Sequence, residues 1–254
     1  MAELTDQQVD SYHENGFLVV DNVASPAEVA GLRQRTEEIA EGQVAGFPAS
    51  SIELEPGARA GSIRTVRKLN TCAQHDHVFL AHARHKAVLD IVEQLIGPDI
   101  KLFDSQCFMK PPGGVEKAYH QDSAYFAIEP MELVTSWTAL DDVTLDNGCM
   151  WVVAGSHRQG VLEHSEPWFV GDRKDMRVPQ ALIDQSRERP ITMSAGGCSF
   201  HHSLLLHRST PNHSACWRRG LAVHYMSSRS RWTDPTRPQP DYLLMRGVEY
   251  PDCV

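Results

Sequence analysis

Apolar and polar positions recur along this chain with two different periods, and the change between them falls near residue 100. Before it, the helical period dominates. Thr5 with Gln8 forms a capping box, and a short helix follows to Asn15-Gly16. GFLVVDNV (16–23) is a strand-like apolar run. Ser25 with Glu28 is a second capping box, with Pro26 at the first helical position. Val29, Leu32 and Ile39 then recur at roughly helical spacing until Gly42. HKAVLDIVEQLIGP (85–98) predicts a third helix, stopped by Gly97-Pro98. Residues 43–65 have no period and several Gly and Pro, and are read as a loop.

From about residue 100, short β-rich runs take over: IKLFDSQCFMK, LVTSWTALDDV, CMWVVAG, GGCSFHHSLLLH and RGLAVHYM. PPGG, DNG, GSHRQG and STPN separate them, and these are turn chemistries. Short strands with regular turns predict a barrel or jelly roll. No internal repeat, low-complexity tract or linker interrupts the chain. The expected architecture is a single domain over 1–254: a helical wrapping region (1–98), a β-core (99–230) and a C-terminal tail (231–254).

Composition narrows the function. At 254 residues and 41% hydrophobic, the chain is long enough to bury a core and too apolar for disorder. No apolar run approaches the ~18 residues of a membrane span. The polar, acidic start MAELTDQQ lacks the features of a secretory signal, and YPDCV matches no peroxisomal or prenylation address. A net charge of -9 argues against nucleic acid or anionic lipid as the main partner. Six scattered cysteines without a CxxC pair read as reduced thiols in the cytoplasm.

Thirteen histidines make metal chemistry worth testing. In His120-Gln121-Asp122, extended backbone would turn residues i and i+2 the same way, so His120 and Asp122 can converge on one ion while Gln121 points away. About one such triplet is expected by chance at this composition, and His164-x-Glu166 and His75-Asp76-His77 are competing pairs. A third ligand from a distant strand would complete the two-histidine, one-carboxylate face that leaves open positions on iron. GGCSFHHSLLLHRSTPNHS offers His201, His202, His207 and His213. His207 ends an apolar run just before a turn, which suits a ligand at a barrel mouth. Arg218 opens the next strand, and a hairpin would return its guanidinium to the metal, where it could grip a carboxylate bidentately.

KPPGG…YHQDSAYF, WTALDDVTLDNGCMWVVAGSHRQG and LLLHRSTPNHSACWRRG, in that order and behind LTDQQVDSYHENGFLVVDNV, together resemble the phytanoyl-CoA dioxygenase family. Ala154 departs from the proline the family often has before GSH, a difference confined to a turn. The resemblance implies a double-stranded β-helix core and a non-haem oxygenase using Fe(II), 2-oxoglutarate and O₂. It implies that His120, Asp122 and His207 bind the iron. Arg218 would hold the distal carboxylate of 2-oxoglutarate with Ser209, Trp137 would line the cosubstrate pocket, and Gln106 and Lys68 would contact the cosubstrate. The expected reaction hydroxylates an aliphatic C–H and releases succinate and CO₂.

Two other functions stay open on the residues alone. A cupin-type metal dioxygenase without 2-oxoglutarate would need no carboxylate grip at Arg218 and Ser209. A non-enzymatic β-sandwich binding module would have no reason to gather His120, Asp122 and His207. The expected substrate is a free small molecule, such as a secondary-metabolite intermediate, with 43–65, Tyr125, Phe126 and the tail from Ser227 lining its pocket. His157 and Asn212 read as turn residues, and His201 and His202 as a strand pair with one side chain inward. Arg218 and Arg219 leave opposite faces of their strand, so only one can enter the barrel. The spacing of the family the chain resembles implies that Arg218 is that one, with Arg219 toward water.

Overall fold

The computed structural model describes residues 3–55, 59–168 and 176–254. Both capping boxes form. Thr5 and Ser25 each accept from the backbone N–H three residues on, while Gln8 and Glu28 reach back to the cap N–H groups. They open α1 (Asp6–Asn15) and α2 (Pro26–Ala40), with strand β1 (Phe17–Val20) between them. Gly16 ends α1 in the left-handed region that glycine tolerates best.

The stretch read as a loop contains a short strand, β2 (Ile52–Leu54), and its residues 56–58 lie outside the described residues. β3 (Val66–Asn70), α3 (Cys72–His75) and α4 (His77–Ala83) follow, none of them signalled by period. The burial of β3 does not alternate, and α3 and α4 are two turns at most, too short to repeat a pattern. Asp76 caps α4 through Val78 N–H (2.9 Å). α5 (Lys86–Ile96) is the amphipathic third helix, burying Val88, Leu89, Ile91, Val92 and Leu95.

The β-region carries β4 (Ile100–Lys110), β5 (Lys117–His120), β6 (Ile128–Glu129), β7 (Leu133–Ala139) and β8 (Met150–Val153). Then come β9 (Glu166–Pro167), β10 (Met176–Arg177), β11 (Glu188–Ile191), β12 (Cys198–His202) and β13 (His207–Ser209). β14 (Arg218–Ser227), β15 (Arg231–Trp232) and β16 (Leu244–Arg246) complete it. The large antiparallel sheet runs β1-β12-β7-β14-β4-β3-β2, with β16 also on β4. A second sheet runs β11-β8-β13-β5. These two antiparallel sheets form the jelly-roll core.

Alternation along β14 assigns its two faces. Leu221, Val223 and Tyr225 pack in one cluster with Phe79, Ile91 and Leu102, beneath the helices. Arg218, Ala222 and His224 line a cavity instead. The opposite wall of that cavity comes from the second sheet, through His120, Met150 and His207.

Three expectations are corrected here. Leu204–Leu206 form no strand: the chain turns after His202, and His207 opens β13 rather than closing an apolar strand. β13 and β14 are not a hairpin either. β13 pairs with β5 and β8, whereas β14 pairs with β4 and β7, so the chain changes sheets between His207 and Arg218. The tail is also misjudged. Among the described residues none beyond His224 lines the cavity. The tail instead adds β16 to β4 and buries Tyr242 and Val254 with Leu133 and Met226.

Candidate active site

His120 and His207 face each other in the β5–β13 register, their ring centroids 4.2 Å apart. Each Nδ1 lies 2.9 Å from the carbonyl two residues before it, Ala118 and Leu205. A carbonyl can only accept, so each Nδ1 carries the hydrogen and each Nε2 keeps a bare lone pair. Both Nε2 atoms turn toward Oδ1 of Asp122, at 3.9 Å from His120 and 3.6 Å from His207. Asp122 begins a 3-10 turn rather than continuing β5, but Gln121 before it is extended, so the i, i+2 convergence survives. Gln121 points away, fully buried, donating to Gly160 and Leu204 carbonyls and accepting from Leu162 N–H.

The donor atoms of these three residues lie within 4.8 Å of one another. Three such donors gathered on one side of a cavity form a set that could hold a single divalent ion. Burial, aided by the neighbouring histidine and Lys117, pushes the His120 imidazole well below its ordinary value; burial also lowers His207. Both are therefore neutral ligands near pH 7. Burial works to raise the Asp122 carboxyl, but His207, His201 and His224 outweigh it and hold the group well below the usual carboxylate range.

The far side of Asp122 has its own company. Oδ2 accepts from the Thr135 hydroxyl at 3.1 Å, and Thr135 in turn accepts from Nδ1 of His224 at 2.8 Å. His201, 2% exposed on β12, brings Nε2 to 3.7 Å from the same oxygen. The sequence placed one of His201 and His202 inward, and that one is His201; its position against the carboxylate was not anticipated. His202 lies beside His157, the rings tilted by 43° with centroids 5.4 Å apart, and His157 donates from Nε2 to the His13 carbonyl.

Arg218, Ser209, Trp137, Gln106 and Lys68 all line the same cavity of about 700 Å³. Arg218 donates from Nε to Gly148 O at 3.1 Å, and its guanidinium lies 5.4 Å from the Trp137 ring centroid. Burial lowers its pKa to about 10. Trp137 occupies the space that a side chain at Gly220 would need: a Cβ there would fall 1.9 Å from the indole. Lys68 pairs with Glu53 at 3.4 Å on the cavity wall, and Gln106 reaches Asp104 at 3.4 Å. Asn212 is structural as read, bonding Lys110 O and Cys216 O.

Several cavity residues escaped the sequence reading, Thr135, His224 and Lys110 among them. Lys110, at the end of β4, donates from Nζ to Ser209 Oγ (2.8 Å) and Thr210 O (2.5 Å). Burial, Arg218 and Arg67 together push its ammonium down to about 6. The signal was present in the alternation Gln106, Phe108, Lys110, which puts the lysine on the face of Gln106. Arg219 corrects another expectation. It leaves the opposite face, but instead of meeting water it forks onto Asp141 (2.9 and 3.0 Å) and reaches Glu37 on α2 at 2.7 Å.

Residues 12–220 match the profile of the family described as "Phytanoyl-CoA dioxygenase (PhyH)". The peroxisomal phytanoyl-CoA dioxygenase of Homo sapiens is 28% identical over 240 residues, which cover 91% of this chain and 71% of that protein. A probable alpha-ketoglutarate-dependent hypophosphite dioxygenase of Stutzerimonas stutzeri is 26% identical over 229 residues, covering 87% and 78%. Among solved structures, the non-heme monooxygenase ThoJ in its apo form superposes with a TM-score of 0.73 at 26% identity, covering 97% of this chain and 86% of that one.

Proposed function

This chain belongs to the phytanoyl-CoA dioxygenase family and is a 2-oxoglutarate-dependent non-haem iron oxygenase; on that premise we propose that His120, Asp122 and His207 hold the ferrous ion. The carrying observation is the pair of bare Nε2 atoms aimed at one carboxylate oxygen, on a cavity that the buried Arg218 also lines. When bound, iron and 2-oxoglutarate supply oxidative decarboxylation coupled to insertion of oxygen into a substrate C–H bond, releasing succinate and CO₂.

The chain's own part is to bind, orient and keep water out. The backbone carbonyls of Ala118 and Leu205 hold both imidazoles in the ligating tautomer. Thr135 donates to Oδ2 of Asp122, leaving Oδ1 for the ion. Arg218 retains its terminal N–H groups for the distal carboxylate of 2-oxoglutarate, and Ser209 stands beside it across the cavity end. Trp137 packs under the guanidinium and excludes water from that contact. Gln106 and Lys68 stand on the same wall and would contact the cosubstrate from the side of β3 and β4.

The remaining volume, walled by Phe103, Tyr125 and Phe126, fits a small molecule, and we read the reaction as hydroxylation of an aliphatic carbon in a secondary-metabolite intermediate. No helix among the described residues is long and apolar enough to cross a membrane. All six cysteines are free, which supports a reducing, cytoplasmic setting.

The test is anaerobic titration of the Fe(II) protein with 2-oxoglutarate. A weak visible charge-transfer band should appear, and admitting O₂ should then yield succinate slowly even without substrate. Absence of both the band and succinate overturns the reading.

A further inference from the structure

Lys110 and Arg218 stand directly opposite each other in the β4–β14 register, and both side chains turn into the cavity. They are 7% and 5% exposed. Like charges opposed across a strand pair destabilise a sheet, and burying a cation without a counter-charge costs several kcal/mol. Among the described residues no acid comes within ion-pairing distance of either. A pair this unfavourable in isolation implies an anion that completes it.

The fold is shaped around the lysine. Its aliphatic stem runs between Gly114 and Gly148. A Cβ on Gly114 would come within 2.8 Å of its Cγ, and one on Gly148 within 2.8 Å of its Cδ. Asn212 donates from its side chain to Lys110 O at 3.1 Å and from its backbone N–H to Gly114 O at 2.9 Å. The PPGG, DNG and STPN turns, read from sequence only as turns, thus close on one side chain. In the charged form that an anion favours, two of the three Nζ hydrogens go to Ser209 Oγ and Thr210 O, and the third is left for the cavity. Because Ser209 Oγ accepts from the lysine, its own hydrogen is free for another acceptor.

The geometry points to a two-cation seat for the distal carboxylate of 2-oxoglutarate, in which Lys110 is a further cosubstrate-binding residue that selects an oxo acid with a second carboxylate. Arg218 supplies its terminal N–H groups, Lys110 its third hydrogen, and Ser209 the hydroxyl that the lysine orients. This rests on 2-oxoglutarate being the cosubstrate.

Equilibrium binding to the Mn(II)-loaded protein, which does not turn over, tests it with two probes. One is 2-oxoglutarate, and the other is 2-oxovalerate, which keeps the chelating end and lacks the distal carboxylate. Lys110→Met keeps the stem's shape and should weaken 2-oxoglutarate binding about ten- to a hundredfold. It should leave 2-oxovalerate within twofold. Lys110→Gln should behave alike, and both variants should melt no lower than wild type. Combining Lys110→Met with Arg218→Ala should lose less than the product of the single effects, since both grip one group. Equal losses for both probes, or none for either, overturn the role of the lysine. A wild-type protein that binds the two probes alike overturns the cosubstrate reading itself, and the lysine's role with it.

Discussion

Lys110 shows what a single residue can carry at this site. An unfolded lysine titrates near ~10.4, whereas the folded ammonium sits at about 6 because burial, Arg218 from β14 and Arg67 from β3 all oppose its charge; Glu116 and the Cys149 thiol only partly offset them. Between those two values the unfolded chain holds the extra proton, so stability should rise with pH through the window. Lys110→Met removes the titration. In the absence of cosubstrate its melting temperature should exceed that of wild type most at about pH 6 and below, and the gap should close toward pH 10. A gap that widened with pH would mean that the lysine is charged and paired in the folded protein. Gly220 carries a different constraint. Its backbone φ is ordinary, so the demand is for space against Trp137. Gly220→Ala should displace the indole from beneath Arg218 and destabilise by ~1–3 kcal/mol through overpacking. Both a lower melting temperature and weaker 2-oxoglutarate binding should be measured.

At the scale of elements, Asp141 joins a helix to the sheet. It lies just beyond β7 and receives the fork of Arg219 from β14, while Arg33 of α2 approaches it at 3.0 Å. Arg219 also reaches Glu37 on the same helix. Hydrogen bonding to both acids raises the Arg219 pKa despite its burial. Arg218 and Arg219 are therefore neighbours with separate duties, one facing the cavity and the other docking α2. Arg219→Ala should cost about 1–3 kcal/mol, since it strips charge-assisted bonds from a mostly buried acid. At ~2–4 °C per kcal/mol for a chain of this size, calorimetry should record a fall of several degrees, with 2-oxoglutarate affinity unchanged. A selective loss of affinity would mean that the strand faces are reversed.

For the whole molecule, the proposed metal site ties distant parts of the chain together. His120 and His207 come from one sheet, and Asp122 is held by Thr135 of the other. An ion that binds only this folded arrangement stabilises it by mass action, ~2.7 kcal/mol at a hundredfold excess over Kd. Mn(II) should raise the melting temperature of wild type by roughly 5–10 °C. His207→Ala should abolish the rise, and His201→Ala should keep most of it. His201 faces the other carboxylate oxygen, and among the described residues its Nδ1 has no partner to fix the tautomer. The reverse pattern would exchange the roles of the two histidines.

What the sequence determined by itself is what local chemistry decides. The capping boxes at Thr5 and Ser25, the helix stop at Gly97 and the alternation through β4 and β14 depend on residues a few positions apart, and they lie where the pattern put them. Alternation put Arg218 and Arg219 on opposite faces, while the family resemblance chose Arg218 as the inward one and singled out His120, Asp122 and His207; the fold places Arg218 in the cavity and draws the three donor groups together. The tertiary structure decided everything that needed distant segments to meet. It moved the chain from one sheet to the other between His207 and Arg218, brought His201 to the carboxylate, and drew the tail off the cavity onto β4. It also closed three turns, far apart in the chain, around the stem of Lys110. No short window records these contacts. Their stabilisation comes from surfaces buried only once both sheets and the helices have packed, and a lysine at the end of a strand looks the same in sequence whether water or a second cation lies beyond it.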